Sequence, residues 1–165
     1  MPQCGDILLI RYKYDWLGWA IQAFTKSKWN HVALIIDNKN LFDCLSNGNK
    51  IKPIKKYLKC LYEIKLIRFL TLTSYGKILL FEEINKLTLL KKPGDILFII
   101  SLIQVGLRNQ PLVNVCSGTV GYLFHKIGIN LIKEIPYYLI SPKDLSEMEE
   151  AKDVTNELFD NNSNL

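Results

Sequence analysis

Apolar and polar positions follow two rhythms along this chain, and the switches between them mark its elements. "DILLIRY" (6–12) is a near-continuous apolar run behind a Gly5-Asp6 turn and reads as a strand. "DWLGWAIQAF" (15–24) is apolar at 16, 17, 20, 21 and 24, the spacing of one helix face, with Asp15 placed to cap it. "HVALII" (31–36) and "LFDCL" (41–45) flank the turn-forming "DNKN", which predicts a β-hairpin. "IKPIKKYLK" (51–59) predicts a strand end, a proline-started turn and one or two helical turns. "YEIKLIRFL" (62–70) is a further strand. "SYGKILLFEEINKLTLL" (74–90) repeats apolar residues at 78, 79, 81, 84, 87 and 90 without a proline, which is a helix.

"KKPG" ends that helix and "DILFII" (95–100) begins another strand. Gly-Asp-Ile-Leu occurs at 5–8 and again at 94–97, but the flanks differ, so no internal repeat follows. A helix runs from 116 to about Lys126 and stops at Gly128, before a loop or strand through "PYYLI" and a turn at "SPKDL". The alternation predicts one α+β domain over 1–145, followed by a polar, acidic, partly mobile tail over 146–165.

At 165 residues and 48% apolar composition, the chain can build one proper core. Its longest apolar run, "ILFIISLIQVGL" (96–107), is shorter than the roughly 18 residues of a spanning helix. "MPQCGDILLI" lacks the basic start of a secretory signal, so the expected location is the cytoplasm or the inside of a particle. Cys4, Cys44, Cys60 and Cys116 form no CxxC pair, and no local spacing with the two histidines makes a zinc site; the thiols read as reduced, with no metal or cofactor. Charge is unevenly spread. The tail holds six acids against Lys152, whereas 1–145 holds twenty basic residues against ten acids, a net of about +10. A basic body is compatible with contact to an anionic surface. No motif of a specific nucleic-acid binder accompanies it.

The candidate chemistry lies in "LVNVCSGTVGYLF" (112–124). Cys116 follows an apolar strand-like run and opens a small-residue helix. Two readings stand: a small buried hydrophobe, or a thiol whose ionisation the helix N-terminus favours. A cysteine nucleophile needs a base, and only two histidines exist. His125, nine residues along the same helix, points about 180° away and lies more than two turns distant. His31 opens the strand after "KSKWN". In the hairpin, His31 shares a face with Asp43 when the connecting loop has an odd number of residues or the strand contains a bulge, and with Cys44 when the loop is even.

The order "GDILLI … FTKSKWNHVALII … LFDCL … NVCSGTVGYLF … SPKDL" resembles the circularly permuted papain-like hydrolases of the NlpC superfamily, the YiiX/YebB-like group. Thr25, Ser27, His31 and Val32 match the Thr-x-Ser-x-x-x-His-Val motif, Cys116-Ser117 the dipeptide that opens the nucleophile helix, and Ser141, Pro142, Asp144 and Leu145 the closing turn. The resemblance covers about 5–145. It implies an antiparallel sheet or partial barrel packed against the nucleophile helix, with Cys116 as nucleophile, His31 as base and Asp43 as orienting acid. The family more usually shows glutamate at the third position, and the aromatic that often follows the Pro-x-Asp-Leu turn is replaced by Ser146. The implied reaction is cleavage of an amide or ester through a Cys116 acyl-enzyme, without cofactor. Implied substrates are wall-type peptides first and lipid-like acyl groups second, with acyl transfer sharing the intermediate. A non-catalytic binding or assembly domain, for instance in a phage or viral particle, is the alternative class.

Overall fold

The computed structural model describes residues 1–13, 27–45, 48–89 and 115–159. The helix expected over 15–24, the motif residue Thr25, the strand expected over 95–100, the second Gly-Asp-Ile-Leu and the end of the tail lie outside them.

Six strands form one antiparallel sheet in the order β4-β3-β2-β1-β5-β6: β1 (Ile7–Tyr12), β2 (His31–Ile35), β3 (Asn40–Leu45), β4 (Gly48–Pro53), β5 (Tyr62–Phe69) and β6 (Ala151–Asp153). β1 is central, paired with β2 on one side and β5 on the other. That position explains its unbroken apolar run, since Ile7, Leu8, Leu9 and Ile10 are all fully buried and face two cores alternately. On one face Ile7, Leu9, Val32, Leu34, Phe42 and Cys44 meet α1 (Ser74–Leu89) and α2 (Val115–Lys126). On the other, Leu8, Ile10, Ala33, Ile35, Leu41 and Leu66 are covered by Ile54 and Tyr57, and by Val154 and Leu158 near the C-terminus.

The capping chemistry accounts for where the helices stop and start. α2 ends in a Schellman motif: Ile129 N–H donates to the Phe124 carbonyl at 2.9 Å and Gly128 N–H to that of His125 at 3.0 Å, with Gly128 at φ +81°. The "SPKDL" turn is α3 (Pro142–Ser146), opened by a capping box in which Ser141 Oγ accepts from the Asp144 N–H and Asp144 Oδ2 accepts from the Ser141 N–H. "PYYLI" contains a 3₁₀ turn, Tyr137–Leu139, lying against α2. There a Cβ on Gly121 would sit 2.8 Å from the Tyr137 carbonyl oxygen, whereas one on Gly118 would make an ordinary 3.6 Å contact with that of Tyr138. Gly121→Ala is therefore expected to destabilise by about 1–3 kcal/mol despite alanine's helix preference, and Gly118→Ala to be neutral or stabilising by up to about 1 kcal/mol. Denaturant melts of the two variants check the difference.

The acidic segment set apart from residue 146 does not hang free over its described length. β6 pairs with the end of β5, and Val154 and Leu158 enter the second core. One of its acids meets charge from distant parts of the chain: Glu157 accepts from Arg68 and pairs with the N-terminal ammonium. The described fold accordingly runs to Phe159. Among the described residues, no helix is long and apolar enough to cross a membrane.

Candidate active site

His31 sits where β2 begins, opposite Ile10 of β1. Its approach is shaped by polar residues: Ser27 Oγ accepts from the Trp29 N–H at 3.0 Å, and Asn30 Oδ1 accepts from the Tyr12 N–H at 3.1 Å. Ser27, matched to the family motif, thus shapes the loop before the histidine. The hairpin register pairs Ile35 with Leu41 and Ala33 with Asp43, leaving residues 36–40, an odd number, as the loop. His31, two residues from Ala33, therefore shares a face with Asp43, and Cys44 faces the helices instead.

Asp43 is fully buried, and both its oxygens are occupied. Oδ1 accepts from His31 Nε2 at 2.6 Å; Oδ2 accepts from Lys52 Nζ at 2.7 Å and from the Tyr57 hydroxyl. Burial favours the neutral acid, but the hydrogen bond and charge of His31, with Lys52 and Tyr57, outweigh it and hold Asp43 at about 2. Lys52 and Tyr57 are neighbours of Asp43 that the sequence did not mark. Lys52 is one of several lysines in "IKPIKKYLK", and only the pairing of β4 with β3 brings it to the carboxylate.

Cys116 lies in the first turn of α2, half-buried. Its sulfur is hydrogen-bonded to the His31 side chain and to the backbone N–H groups of Val32 and Ser117. With Nε2 on Asp43, the imidazole nitrogen left for Cys116 is Nδ1. The β2–β3 ladder stops at the Ala33–Asp43 pair although both strands continue, and beyond that point the Val32 N–H turns to the sulfur. Burial opposes a thiolate, yet the hydrogen bond and charge of His31 and the two N–H donors prevail, holding Cys116 below the ordinary thiol range. Burial likewise opposes an imidazolium, and the hydrogen bonds to Asp43 and Cys116 overcome it, raising His31 to about 10. Both shifts favour the thiolate–imidazolium form of the pair.

The other candidates fall away from this centre. Ser117 Oγ donates to the Ile140 carbonyl at 2.6 Å and is buried, tying the start of α2 to the loop before α3. His125 is exposed near the far end of α2, paired with Asn130 Oδ1 at 3.0 Å and stacked on Tyr137. Cys44 bonds to the Thr119 side chain, and burial pushes its thiol up. Cys4 is also pushed up by burial, and Cys60 is exposed.

No protein-family model and no curated protein sequence matches the chain. Among solved structures it is similar to the metalloprotein YiiX from Escherichia coli O157:H7, with a TM-score of 0.64 and 19% identity over 93% of this chain and 96% of that one. The fold is YiiX-like. A metal ion, as that protein's description implies, does not fit the described residues of this chain. Both Asp43 oxygens already accept hydrogen bonds, and one of the donors is an ammonium that supplies positive charge. Among the described residues, no three His, Cys, Asp or Glu side chains are grouped to hold a metal.

Proposed function

We propose that this chain is a cysteine hydrolase of the permuted papain-like type, with Cys116 as nucleophile, His31 as general base and acid, and Asp43 as the residue that orients His31. The observation that carries this reading is a single imidazole bonded on both sides, to a thiol in a helix's first turn and to a fully buried carboxylate. The order along the chain, base before nucleophile, is that of the permuted enzymes. The YiiX-like fold supports it.

The Cys116 thiolate attacks an acyl carbonyl carbon, and the resulting oxyanion is met by the Cys116 backbone N–H. Collapse of the tetrahedral species breaks the bond to the leaving amine or alcohol, which takes the proton from His31 Nδ1. Neutral His31 then removes a proton from water, which attacks the thioester and releases the acid and free enzyme. Every group these steps use is a side chain or backbone amide; the family resemblance implies an amide of a wall-type peptide, or secondarily a lipid-like ester, as the substrate class.

The test is alkylation by iodoacetamide at pH 6, read by peptide mass mapping, followed by assays on peptide-amide and acyl-ester substrates. Cys116 is expected to label first although Cys60 is the exposed thiol. Cys116→Ser is expected to lose turnover. Labelling of Cys60 or Cys4 ahead of Cys116 overturns the reading. Equal ligand binding by wild type and Cys116→Ala, without turnover by either, supports a non-catalytic module instead.

A further inference from the structure

Four ionisable groups stand in a row at this site, from α2 to the sheet edge: Cys116, His31, Asp43 and Lys52. As thiolate, imidazolium, carboxylate and ammonium they alternate in sign and sum to zero. The Asp43 side chain is wholly inaccessible and that of Lys52 only 15% exposed, so water screens the inner part of the row poorly. The proposed function uses the first three groups and leaves the fourth unexplained.

We propose that Lys52, assisted by Tyr57, is a positioning residue that keeps Asp43 a carboxylate and so fixes the His31 tautomer on which Cys116 depends. The inference rests on the hydrolase reading and extends it. A carboxylate only accepts hydrogen bonds, so it compels His31 Nε2 to carry a proton and leaves the Nδ1 lone pair free to take one from the thiol. A protonated Asp43 could donate to Nε2 instead. The proton of neutral His31 would then sit on Nδ1, which could no longer act as base. A buried acid drifts toward that protonated state unless a positive charge opposes it.

Among the described residues, Lys52 is the only Lys or Arg paired with Asp43. The other titratable groups that face the row are neutral there. Tyr12 from β1 and Tyr57 after β4 are pushed above the ordinary phenol range, chiefly by burial and by Asp43, and Cys44 on β3 is pushed above the ordinary thiol range by burial. Tyr62 of β5 contributes its ring, packed against Tyr12 and Tyr57. With its one proton donated to Asp43, the Tyr57 hydroxyl can only accept from Tyr12, to which it is also bonded. This chain of hydroxyls supplies hydrogen bonds and no charge.

The experiment measures the rate of Cys116 alkylation against pH and, in parallel, the ¹⁵N chemical shifts of the His31 ring, in the full chain and three Lys52 variants. Lys52→Arg retains charge and donor, Lys52→Gln retains a donor alone, and Lys52→Met retains neither. Relative to wild type, the onset of alkylation is expected to stay in place for Arg. It should move up by about one pH unit for Met, a roughly tenfold slower reaction at pH 6, with Gln between. At pH 6 the ¹⁵N shifts should show the imidazolium, protonated on both ring nitrogens, in wild type and Arg, and in Met a growing share of neutral ring protonated on Nδ1 alone. Wild-type onset and tautomer in Lys52→Met overturn the inference. If that variant does not fold, the same result in Lys52→Gln does so. A wild-type Cys116 with ordinary thiol reactivity overturns this and the hydrolase reading together. Absence of turnover on peptide amides and esters, with the Lys52 dependence intact, counts against the hydrolase reading alone.

Discussion

His31→Ala is expected to slow iodoacetamide alkylation of Cys116 at pH 6 by about 10²–10³-fold and to remove measurable turnover. The sign follows from which form reacts. Alkylation proceeds through the thiolate, and three donors hold Cys116 below the ordinary thiol range against the effect of burial. His31 supplies both the strongest hydrogen bond and the only positive charge among them. Without it, burial remains with two backbone N–H groups to oppose it, and the thiol returns to at least the ordinary value near 8.5. Each unit of that rise costs tenfold in thiolate at pH 6, so the variant regains reactivity only as pH approaches 9. Wild type has a second limit. His31, raised to about 10, carries its proton below that pH and loses it above, so leaving-group protonation fails on the alkaline side while the thiolate persists. Turnover should fall above pH 10 where alkylation does not. Asp43 keeps Lys52 and Tyr57 as partners in the variant, so the fold is expected to survive the substitution. The pH–rate curves of wild type and variant decide the matter, and superimposable curves would remove His31 from the mechanism.

Strands β1, β2, β3 and β5 were legible because their apolar runs are pinned by turn chemistry. Gly5-Asp6, the "DNKN" loop and Gly128 each mark an end that the fold respects. The choice between Asp43 and Cys44 as the neighbour of His31 was visible only as a parity question, since a one-residue difference in the 36–40 loop turns the whole strand over. Side chains decide it: Asp37 Oδ1 accepts from both the Lys39 and Asn40 N–H groups at 2.7 Å and folds the loop tightly enough to set Ile35 against Leu41. Lys52 and Tyr57 were not legible. Both sit in a lysine-rich stretch that reads as solvated surface, and their meeting with Asp43 depends on strand pairing and on the turn that lays Tyr57 across the sheet. The pairing of the acidic C-terminal segment with the sheet was not legible for the complementary reason. Its local composition reads as a tail, while its partners, Arg68 and the N-terminal ammonium, lie far away in sequence.

Arg68→Met should destabilise the chain by about 3–5 kcal/mol at pH 7, more than any other single ion-pair change in the described structure. Arg68 of β5 spans two carboxylates. Nε and Nη2 donate to the two oxygens of Asp6 at 2.8 Å each, while Nη1 and Nη2 donate to Glu157 at 2.9 and 2.6 Å. The Asp6 side chain is 2% exposed, so removing the guanidinium strands a buried carboxylate with the Gln3 N–H as its remaining hydrogen-bond donor. Glu157 keeps the N-terminal ammonium at 3.0 Å and, being partly solvated, contributes less. The expected fall in melting temperature is about 6–20 °C for a domain of this size. Adding Asp6→Asn to Arg68→Met should recover part of the loss, because a neutral amide is less costly to bury than an unpaired carboxylate. The dependence on pH has a definite direction. Glu157 is held at about 2 by Arg68, so its contribution is complete above the ordinary glutamate range and disappears as pH falls through 2. The gap between wild type and variant should therefore narrow below pH 4.5. The consequence reaches the site. Val154 and Leu158, which this ion cluster fastens to the sheet, belong to the same buried cluster as Tyr57. A melt of Arg68→Met that matches wild type at pH 7, or a gap that stays constant down to pH 3, would show that the C-terminal segment is held by its apolar contacts alone.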